Sequence, residues 1–420
     1  MKKVAITGLG FITSIGENKE EVLTSLRELK NGIEISEEFA KENTQVRCLG
    51  TVKGFKIEGI DAEDWQWNKE LYPIKRTVLR GFAPHVLYAH CAVTQALKDA
   101  GLSPEDVAND DDTGMYTASA GSTNMLYSHM QRMDKVGAAK AHPMGVVSSI
   151  VGTLSYNLVS AFQITGNSCG FASACASSSH ALGFAYEEIR SGRQKRMLVI
   201  GGEDGDYRTI VPFAGMRALT TSDNPDEASR PFDKNRSGFV GTGGAVCMII
   251  EDEELAKSRN ADIYARINSW GQGSDGYNVA IPHPEGRGVV SAIKKALKAG
   301  NLTTDDIDYI NAHGTSTPIG DVAELRAIKT VFGENAKMPI SSTKAITGHG
   351  LSLAGVLEAG ICALSLKNAI IPASAHITEL DEEAKSLNIP MQTLEEQADK
   401  MMSLNSGFGG ANTAIILEKA

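Results

Sequence analysis

One pattern occurs twice in this chain and limits the possible folds more than any single motif does. Both copies run from the end of an amphipathic helix into a strand, with the same spacing. The matching positions are Ala96-Leu97-Lys98, Leu102 and Asp106-Val107 in the first copy, and Ala296-Leu297-Lys298, Leu302 and Asp306-Ile307 in the second. The repeat predicts two stacked α/β halves related by pseudo-symmetry, although two unrelated helix ends can also match by chance.

Strand-like and helix-like segments alternate through the whole chain, which indicates an α/β fold. A buried strand is predicted from Lys3 to Gly10 and a Gly-rich strand region from Phe239 to Glu251, after which the pattern begins again. With 420 residues the chain exceeds one average domain. We therefore expect an N-terminal half over residues 1–252 and a C-terminal half over residues 253–420.

Charge and cysteine content exclude several classes of protein. The formal net charge of −10 argues against a general nucleic-acid binder. The six cysteines are scattered without a CxxC pair, so we expect neither a disulfide frame nor a zinc site, and a cytoplasmic location fits. No run of about 18 apolar residues occurs, so no membrane span is expected. Thr7, Gly8 and Gly10 interrupt the apolar start, which we interpret as a strand rather than a signal peptide.

Positions 173–180 read Ser-Ala-Cys-Ala-Ser-Ser-Ser-His. In this stretch a cysteine flanked by small residues lies at the start of a predicted helix. A helix N-terminus presents N–H groups and a partial positive charge, which favour the thiolate of Cys175. Small neighbours would let a bulky thioester reach the sulfur. The stretch therefore suggests a nucleophile, and a buried structural cysteine is the alternative.

Three later stretches add functional groups at predicted strand–helix junctions. They contain His313 in a Gly/Ser/Thr turn, Lys344 and His349 in a second turn, and Phe408 in a Gly-rich loop. A histidine alone in such a place is more often structural than functional. Together with Cys175 these residues indicate an active site, because functional residues of α/β folds gather where strands end.

The chain resembles one family nearly end to end, the β-ketoacyl-acyl-carrier-protein synthases of fatty-acid synthesis. The resemblance implies the thiolase fold, with two pseudo-symmetric halves in a five-layer α-β-α-β-α arrangement. A Cys-His-His set with a lysine separates the chain from the initiating synthases, which use Cys-His-Asn. The matching motifs are Val4 to Gly10, Ala174 to Ser178, Ser229 to Asp233, His313 to Asp321, Lys344 to Gly350 and Gly407 to Gly410.

The resemblance also implies a decarboxylative condensation. Cys175 would take the acyl chain from acyl carrier protein as a thioester. His313 and His349 would donate hydrogen bonds to the malonyl thioester carbonyl, so that CO₂ leaves and the carbanion attacks the acyl group on Cys175. Lys344 would orient the charges around the site.

Further roles follow from the same resemblance. Backbone N–H groups of Cys175 and Phe408 would hold the oxyanion, and Phe408 would act as a gate on a mobile loop. Thr315 and Thr317 would hydrogen-bond the phosphopantetheine arm. The reaction needs no metal and no redox cofactor, and we find no sequence motif for either. The glycines near the N-terminus do not complete a dinucleotide-binding fingerprint.

Two details place the chain nearer to synthase I than to synthase II. Residues 238–244 lack the Glu that many type II synthases carry, and Gly121 stands where synthase II has a bulky residue that limits the acyl pocket. One departure from the family is Ser406, which replaces the Phe that usually precedes the Gly-rich loop. This departure leaves chain length and pathway open, including a specialised synthase for polyenes.

A basic cluster on this acidic protein suggests where a partner binds. The cluster consists of Lys75, Arg76 and Arg80, and the two arginines are one helical turn apart. It predicts a docking site for the acidic acyl carrier protein, with a solvated helix face as the alternative. The family resemblance also implies a homodimer.

Two rival functions are open at this point. A non-catalytic chain-length partner subunit of a ketosynthase heterodimer would typically lack the nucleophile, and Cys175 is present. A coenzyme A thiolase would need a second catalytic cysteine near the C-terminus. The last cysteine, Cys362, lies in a predicted apolar helix.

Overall fold

A computed structural model describes residues 1–41 and 44–420 of the chain. Its strands are β1 (Val4–Ile12), β2 (Ile33–Ile35), β3 (Cys48–Gly50), β4 (Thr113–Ala118), β5 (Ser168–Phe171), β6 (Arg196–Glu203), β7 (Gly244–Asp252), β8 (Ala265–Ser274), β9 (Tyr309–Asn311), β10 (Ile340–Ser341), β11 (Lys400–Gly407) and β12 (Ala411–Lys419). Its α-helices are α1 (Lys19–Glu28), α2 (Glu37–Lys41), α3 (Arg76–Leu79), α4 (Pro84–Asp99), α5 (Thr123–Val136), α6 (Thr153–Ala161), α7 (Ser177–Arg190), α8 (Tyr207–Ile210), α9 (Pro225–Ala228), α10 (Glu253–Ser258), α11 (Arg287–Gly300), α12 (Pro318–Phe332), α13 (Lys344–Thr347) and α14 (Ala354–Asn368).

Ten strands form one mixed sheet whose two halves have the same strand order. The first half runs β5-β4-β6-β7-β1 and the second β10-β9-β11-β12-β8. In each half the first three strands are parallel and the last two pair antiparallel. Residues 4–6 of β1 pair with residues 265–267 of β8, so backbone hydrogen bonds join the halves. This topology confirms the predicted pseudo-symmetry.

The repeated sequence pattern marks equivalent places in the two halves. Helices α4 and α11 are each followed by a short 3₁₀ turn with a capping box, formed by Ser103 with Asp106 and by Thr303 with Asp306. Along the chain, both turns lead into the first of the three parallel strands of their half, β4 or β9. The repeat therefore reflects the fold.

Glycines let the outer helices lie close against the sheet at equivalent places. A Cβ on Gly8 or Gly10 of β1 would lie 2.4 or 1.9 Å from a carbonyl oxygen of α4. A Cβ on Gly271 or Gly273 of β8 would lie 2.3 or 2.2 Å from a carbonyl oxygen of α11. The N-terminal glycines therefore serve helix–strand packing.

The helices and half-sheets stack in the predicted order α-β-α-β-α. Helices α4 and α6 cover one outer face, α11 and α12 cover the other, and α7 and α14 lie between the half-sheets. Among the described residues, the three largest hydrophobic clusters are a central one around α7 and α14 and one under each outer layer. The central layer matters for function because α7 and α14 each follow a candidate site residue.

One helical stretch, Leu351–Asn368, is long and apolar enough to cross a membrane by length and composition alone. It contains α14, and 89% of the stretch is buried inside the protein. Its apolar side chains pack between the two half-sheets. Burial in the core therefore accounts for the composition of this helix.

Candidate active site

Cys175 lies in a tight turn between β5 and α7. The preceding residue, Ala174, has a left-handed backbone with φ of 50°, which is uncommon for a residue with a side chain. Ser177 holds the turn, because its hydroxyl accepts from the N–H of Ser173 at 2.8 Å and donates to the carbonyl of Ala174 at 2.5 Å. The turn presents Cys175 to a cavity.

His313 follows β9, in the turn that leads to α12. The carboxylate of Glu324 in α12 accepts from the backbone N–H of His313 and from that of Gly314, both at 2.7 Å. All of these groups are buried. The double hydrogen bond therefore sets the backbone position from which the imidazole reaches the cavity.

His349 lies between α13 and α14. Its N–H donates to the carbonyl of Val240 at 2.7 Å, and its carbonyl accepts from the N–H of Thr242 at 3.1 Å. Residues 239–243 were predicted to belong to a strand, but β7 begins only at Gly244. These residues lie outside β7 because their backbone groups bond elsewhere: Val240 and Thr242 pair with His349, and Phe239 and Gly241 pair with residues 218–220 and 50.

The structure brings Cys175, His313 and His349 together. The sulfur lies 3.1 Å from Nε2 of His349, and the two imidazole rings lie 5.1 Å apart at 85° to each other. The three residues line one cavity of about 260 Å³. A thiol beside two imidazoles is suited to nucleophilic chemistry with proton transfer.

Lys344 is buried behind this group, 1% exposed, and forms an ion pair with Glu358 of α14. Glu358 also accepts a hydrogen bond from Nδ2 of Asn405 at 2.5 Å. The amide oxygen of Asn405 accepts from Ser179 of α7, again at 2.5 Å. This polar chain links α13, α14, β11 and α7, so it ties the histidine side of the site to the cysteine side.

Burial keeps the reactive groups neutral. It lowers the pKa of both His313 and His349 well below the ordinary value, and the charge of Lys344 adds to the effect. Burial raises the pKa of the Cys175 thiol to about 12, with Lys344 opposing. Desolvation therefore outweighs the helix N-terminus that the sequence suggested would favour the thiolate, because Cys175 precedes the first turn of α7.

Gly407 and Phe408 form a rim of the cavity beside the nucleophile. A Cβ on Gly407 would lie 2.6 Å from the carbonyl oxygen of Ser173 and 3.1 Å from the backbone N of Cys175. This approach places the backbone of Phe408, the next residue, beside the N–H of Cys175. The ring of Phe408 is 39% exposed and lies 5.9 Å from the ring of Phe213.

Thr315 and Thr317 line the same cavity, with their hydroxyl oxygens 3.0 Å apart. Arg236 holds their turn, since it donates to the carbonyl of Thr317 at 3.2 Å. Arg236 also pairs with the buried Asp321 of α12 at 3.2 Å. The two hydroxyls therefore stand on a supported turn.

Two positions that distinguish this chain have different surroundings. Ser406 lines the cavity, where the family usually has a Phe ring. Gly121 does not border open space. Its φ is +83°, and a Cβ would lie 2.9 Å from the carbonyl oxygen of Ser149. The backbone of residues 149–151 therefore occupies the place that a side chain at position 121 would take.

The basic cluster of Lys75, Arg76 and Arg80 is exposed and, in the part of the chain that the structure describes, contributes no residue to the cavity wall. Both arginines pair with Glu63, at 2.7 and 3.2 Å. The shared partner places the arginines on one face. Glu63 offsets part of the positive charge of the cluster.

Three residues support the site from behind, Glu324, Glu358 and Asn405. Asn405 begins the Gly-rich stretch that the sequence singled out, whereas Glu324 and Glu358 lie in no motif. Glu358 had a usable signal, because it is the single acid in the apolar helix α14 and a buried acid needs a partner. Glu324 gave no such signal in the sequence, since acidic residues are common in helices at the protein surface.

Cys362 lies in the core of α14. It is fully buried, and burial raises the pKa of its thiol. Within residues 1–41 and 44–420, Cys175 is the one cysteine that lines the cavity. The second cysteine that a coenzyme A thiolase needs is therefore absent from the described site.

Two family models match the chain. The Beta-ketoacyl synthase, N-terminal domain matches residues 1–256, and the Beta-ketoacyl synthase, C-terminal domain matches residues 264–378. The 3-oxoacyl-[acyl-carrier-protein] synthase 1 of Escherichia coli (strain K12) is 38% identical, over 100% of this chain and 99% of that protein. The corresponding synthase 2 of Coxiella burnetii is 32% identical, over 100% and 99%. The prediction of a chain closer to synthase I than to II is confirmed.

The fold agrees with a solved relative. A crystal structure of a β-ketoacyl synthase from Burkholderia phymatum STM815 superimposes with a TM-score of 0.89 and 31% sequence identity, and each chain is covered completely. This likeness confirms the thiolase-like fold class. From the family matches and the full-length relatives, we conclude that the chain belongs to the β-ketoacyl synthase family.

Proposed function

We propose that this chain is an acyltransferase, a 3-oxoacyl-[acyl-carrier-protein] synthase that elongates acyl chains by decarboxylative Claisen condensation. The observation that carries the proposal is the 3.1 Å approach of the Cys175 sulfur to Nε2 of His349, with His313 in the same cavity. The names of the relatives from E. coli and C. burnetii agree with this activity.

In the first half of the reaction, the sulfur of Cys175 attacks the thioester carbonyl of acyl-loaded carrier protein. Because burial raises the pKa of this thiol to about 12, its proton leaves as the new C–S bond forms. That proton passes to the departing pantetheine sulfur as the C–S bond forms, while Nε2 of His349, 3.1 Å from the attacking sulfur, keeps its own proton for the second half of the reaction. The N–H groups of Cys175 and Phe408 hold the oxyanion.

In the second half, the malonyl arm lies along the hydroxyls of Thr315 and Thr317. His313 and His349 donate to the malonyl thioester carbonyl while the C–C bond to the carboxylate breaks and CO₂ leaves. The resulting carbanion attacks the acyl carbonyl and expels Cys175 as a thiolate, which takes up a proton from water to restore the free thiol. Lys344, paired with Glu358, helps to keep both imidazoles neutral so that they act as donors. These steps require no metal or redox cofactor.

Replacing His313 or His349 by alanine should reduce decarboxylation of malonyl-carrier protein by about 10²–10³-fold, because each change removes a donor to the forming enolate. Release of labelled CO₂ measures the rate. His142→Asn is the matched control, since His142 lies outside the cavity wall and should leave the rate unchanged. Wild-type rates in both alanine variants would contradict the assigned roles.

The carrier protein is proposed to dock on Lys75, Arg76 and Arg80. Changing both arginines to glutamate should raise the KM for carrier-linked substrates by about tenfold and leave the rate with small pantetheine thioesters unchanged. The matched control is Lys294→Glu with Lys298→Glu, two exposed bases one turn apart on α11. An unchanged KM, or an equal rise in the control, would contradict docking at this cluster.

A homodimer is proposed through the face that carries β5. This strand pairs with β4 on one side and is the edge of the ten-stranded sheet, so its other side can pair with the same strand of a second copy. Exposed apolar side chains gather on α5 and the following segment, among them Met130 and Val151, which are 52% and 50% exposed. A large exposed apolar surface is typical of a subunit interface.

Light scattering should therefore find a mass of twice the 44.7 kDa chain. Met130→Lys with Val151→Lys should shift the protein to monomers, because two charges would be buried without partners. Met391→Lys is the matched control, since Met391 is also exposed, at 40%, and lies on another part of the chain. A monomeric wild type, or a dimer that persists in the double variant, would contradict this interface.

We place the protein in the cytoplasm. We also divide the chain into an N-terminal half, residues 1–252, and a C-terminal half, residues 253–420. All six cysteines are free thiols, which suits a reducing compartment. Residue 252 is the last of β7, so the division falls at the end of a strand. Cell fractionation tests the location, and limited proteolysis tests the division.

A further inference from the structure

The nucleophile and the two histidines also have the composition of a metal site. One donor atom from each of Cys175, His313 and His349 lies within 4.8 Å of the other two. The cysteine spacing in the sequence predicted no zinc site, because these three donors are far apart along the chain. The fold brings them together on one side of the cavity.

The distances between the donors are close to those of a zinc centre. Zn²⁺ prefers thiolate and imidazole, at about 2.3 Å for sulfur and about 2.0–2.1 Å for nitrogen, so two ligands in tetrahedral geometry lie roughly 3.3–3.5 Å apart. Cys175 and His349 are near this spacing at 3.1 Å. His313 would have to approach by at most about 1.5 Å, the difference between 4.8 Å and the shortest such spacing, which side-chain rotation can supply.

We propose that the substrate-free site binds one Zn²⁺ per chain through Cys175, His313 and His349, with the fourth position open to the cavity. The thiol loses its proton to solvent as the Zn–S bond forms, so no electron is transferred. The imidazoles bind as neutral ligands. The nearby charge of Lys344 is matched by Glu358, which lowers the electrostatic cost of a cation here.

Zinc at this position would occupy the sulfur that attacks the acyl thioester. This consequence rests on the proposed function, since it makes Zn²⁺ a reversible inhibitor that competes with acyl loading. Metal binding itself is measured without any substrate. A failure of zinc binding is therefore distinguishable from a failure of the proposed condensation.

Equilibrium dialysis of the substrate-free protein against ZnCl₂ should find one bound ion per chain. Co²⁺ used in place of Zn²⁺ should give sulfur-to-cobalt charge-transfer absorption. Cys175→Ala should abolish this absorption, and His313→Ala or His349→Ala should weaken metal affinity by about 100-fold. Zn²⁺ should also protect Cys175 from iodoacetamide, and EDTA should remove the protection.

Two control variants test other metal-binding groups on the surface. Cys169→Ser removes the exposed thiol of β5, and His142→Asn removes one member of the stacked pair of His129 and His142. Both should keep the stoichiometry and affinity of the wild type. If Cys175→Ala does not fold, wild-type protein alkylated at Cys175 gives the same test. Zinc binding that survives loss of the Cys175 thiol, or that disappears in a control variant, would overturn the proposal.

Discussion

Replacing Cys175 by alanine is expected to reduce the condensation of acyl- and malonyl-carrier protein by at least about 10⁴-fold, because the acyl group loses its covalent attachment site. The same variant should still release CO₂ from malonyl-carrier protein, since His313 and His349 contact the malonyl carbonyl without the sulfur. Product analysis by mass spectrometry measures condensation, and labelled CO₂ measures decarboxylation. Loss of the first activity with retention of the second separates a missing nucleophile from an unfolded site.

The matched control is Cys362→Ala, which removes a thiol from the core of α14 instead of the cavity. It should lose some stability and keep its turnover. Intact-protein mass spectrometry should find an acyl group on the wild type and on Cys362→Ala, but not on Cys175→Ala. Full condensation by Cys175→Ala would refute the mechanism. A wild-type protein that gains no acyl mass would fit the chain-length partner subunit instead.

Replacing Lys344 by methionine is expected to destabilise the protein by about 3–5 kcal/mol, because Glu358 is left buried without its cationic partner. Both side chains are at most 2% exposed. The loss of unfolding free energy relative to the wild type should increase with pH. Burial raises the pKa of Glu358, and Lys344 opposes this effect. Without Lys344, Glu358 in the folded variant keeps its proton to a higher pH than Glu358 in the unfolded chain does. The stability of the variant therefore falls as the pH rises through this range. Urea unfolding at about pH 5.5 and about pH 8 measures both effects.

The double variant Lys344→Met with Glu358→Leu should recover most of this stability, because no unpaired charge remains. Its decarboxylation should stay below that of the wild type, since the charge near His313 and His349 is absent. Lys234→Met is the control, because it breaks the exposed 2.8 Å pair with Glu379 and should change stability little. A wild-type urea midpoint for Lys344→Met at both pH values would show that the ion pair does not stabilise the fold.

Much of the fold was predictable because its signals are local. Alternating apolar periodicity indicated α/β structure, and the repeated helix-to-strand pattern indicated two similar halves. Cys175, His313, Lys344 and His349 stood out because each lies among small residues near the end of a predicted element. The start of β7 was misplaced because residues 239–243 are apolar and Gly-rich like a strand, yet their backbone groups pair with His349 and with residues 50 and 218–220 instead of a neighbouring strand of the ten-stranded sheet.

The sequence by itself determined the fold class, the family and the candidate residues, since periodicity, turn composition and motif order are properties of neighbouring positions. Only the tertiary structure decided that Glu358 pairs with Lys344, that Glu324 holds the turn of His313, and that burial raises the pKa of the Cys175 thiol. The physical reason is that desolvation and ion pairing depend on every segment that packs around a group. In this site those segments come from both halves of the chain.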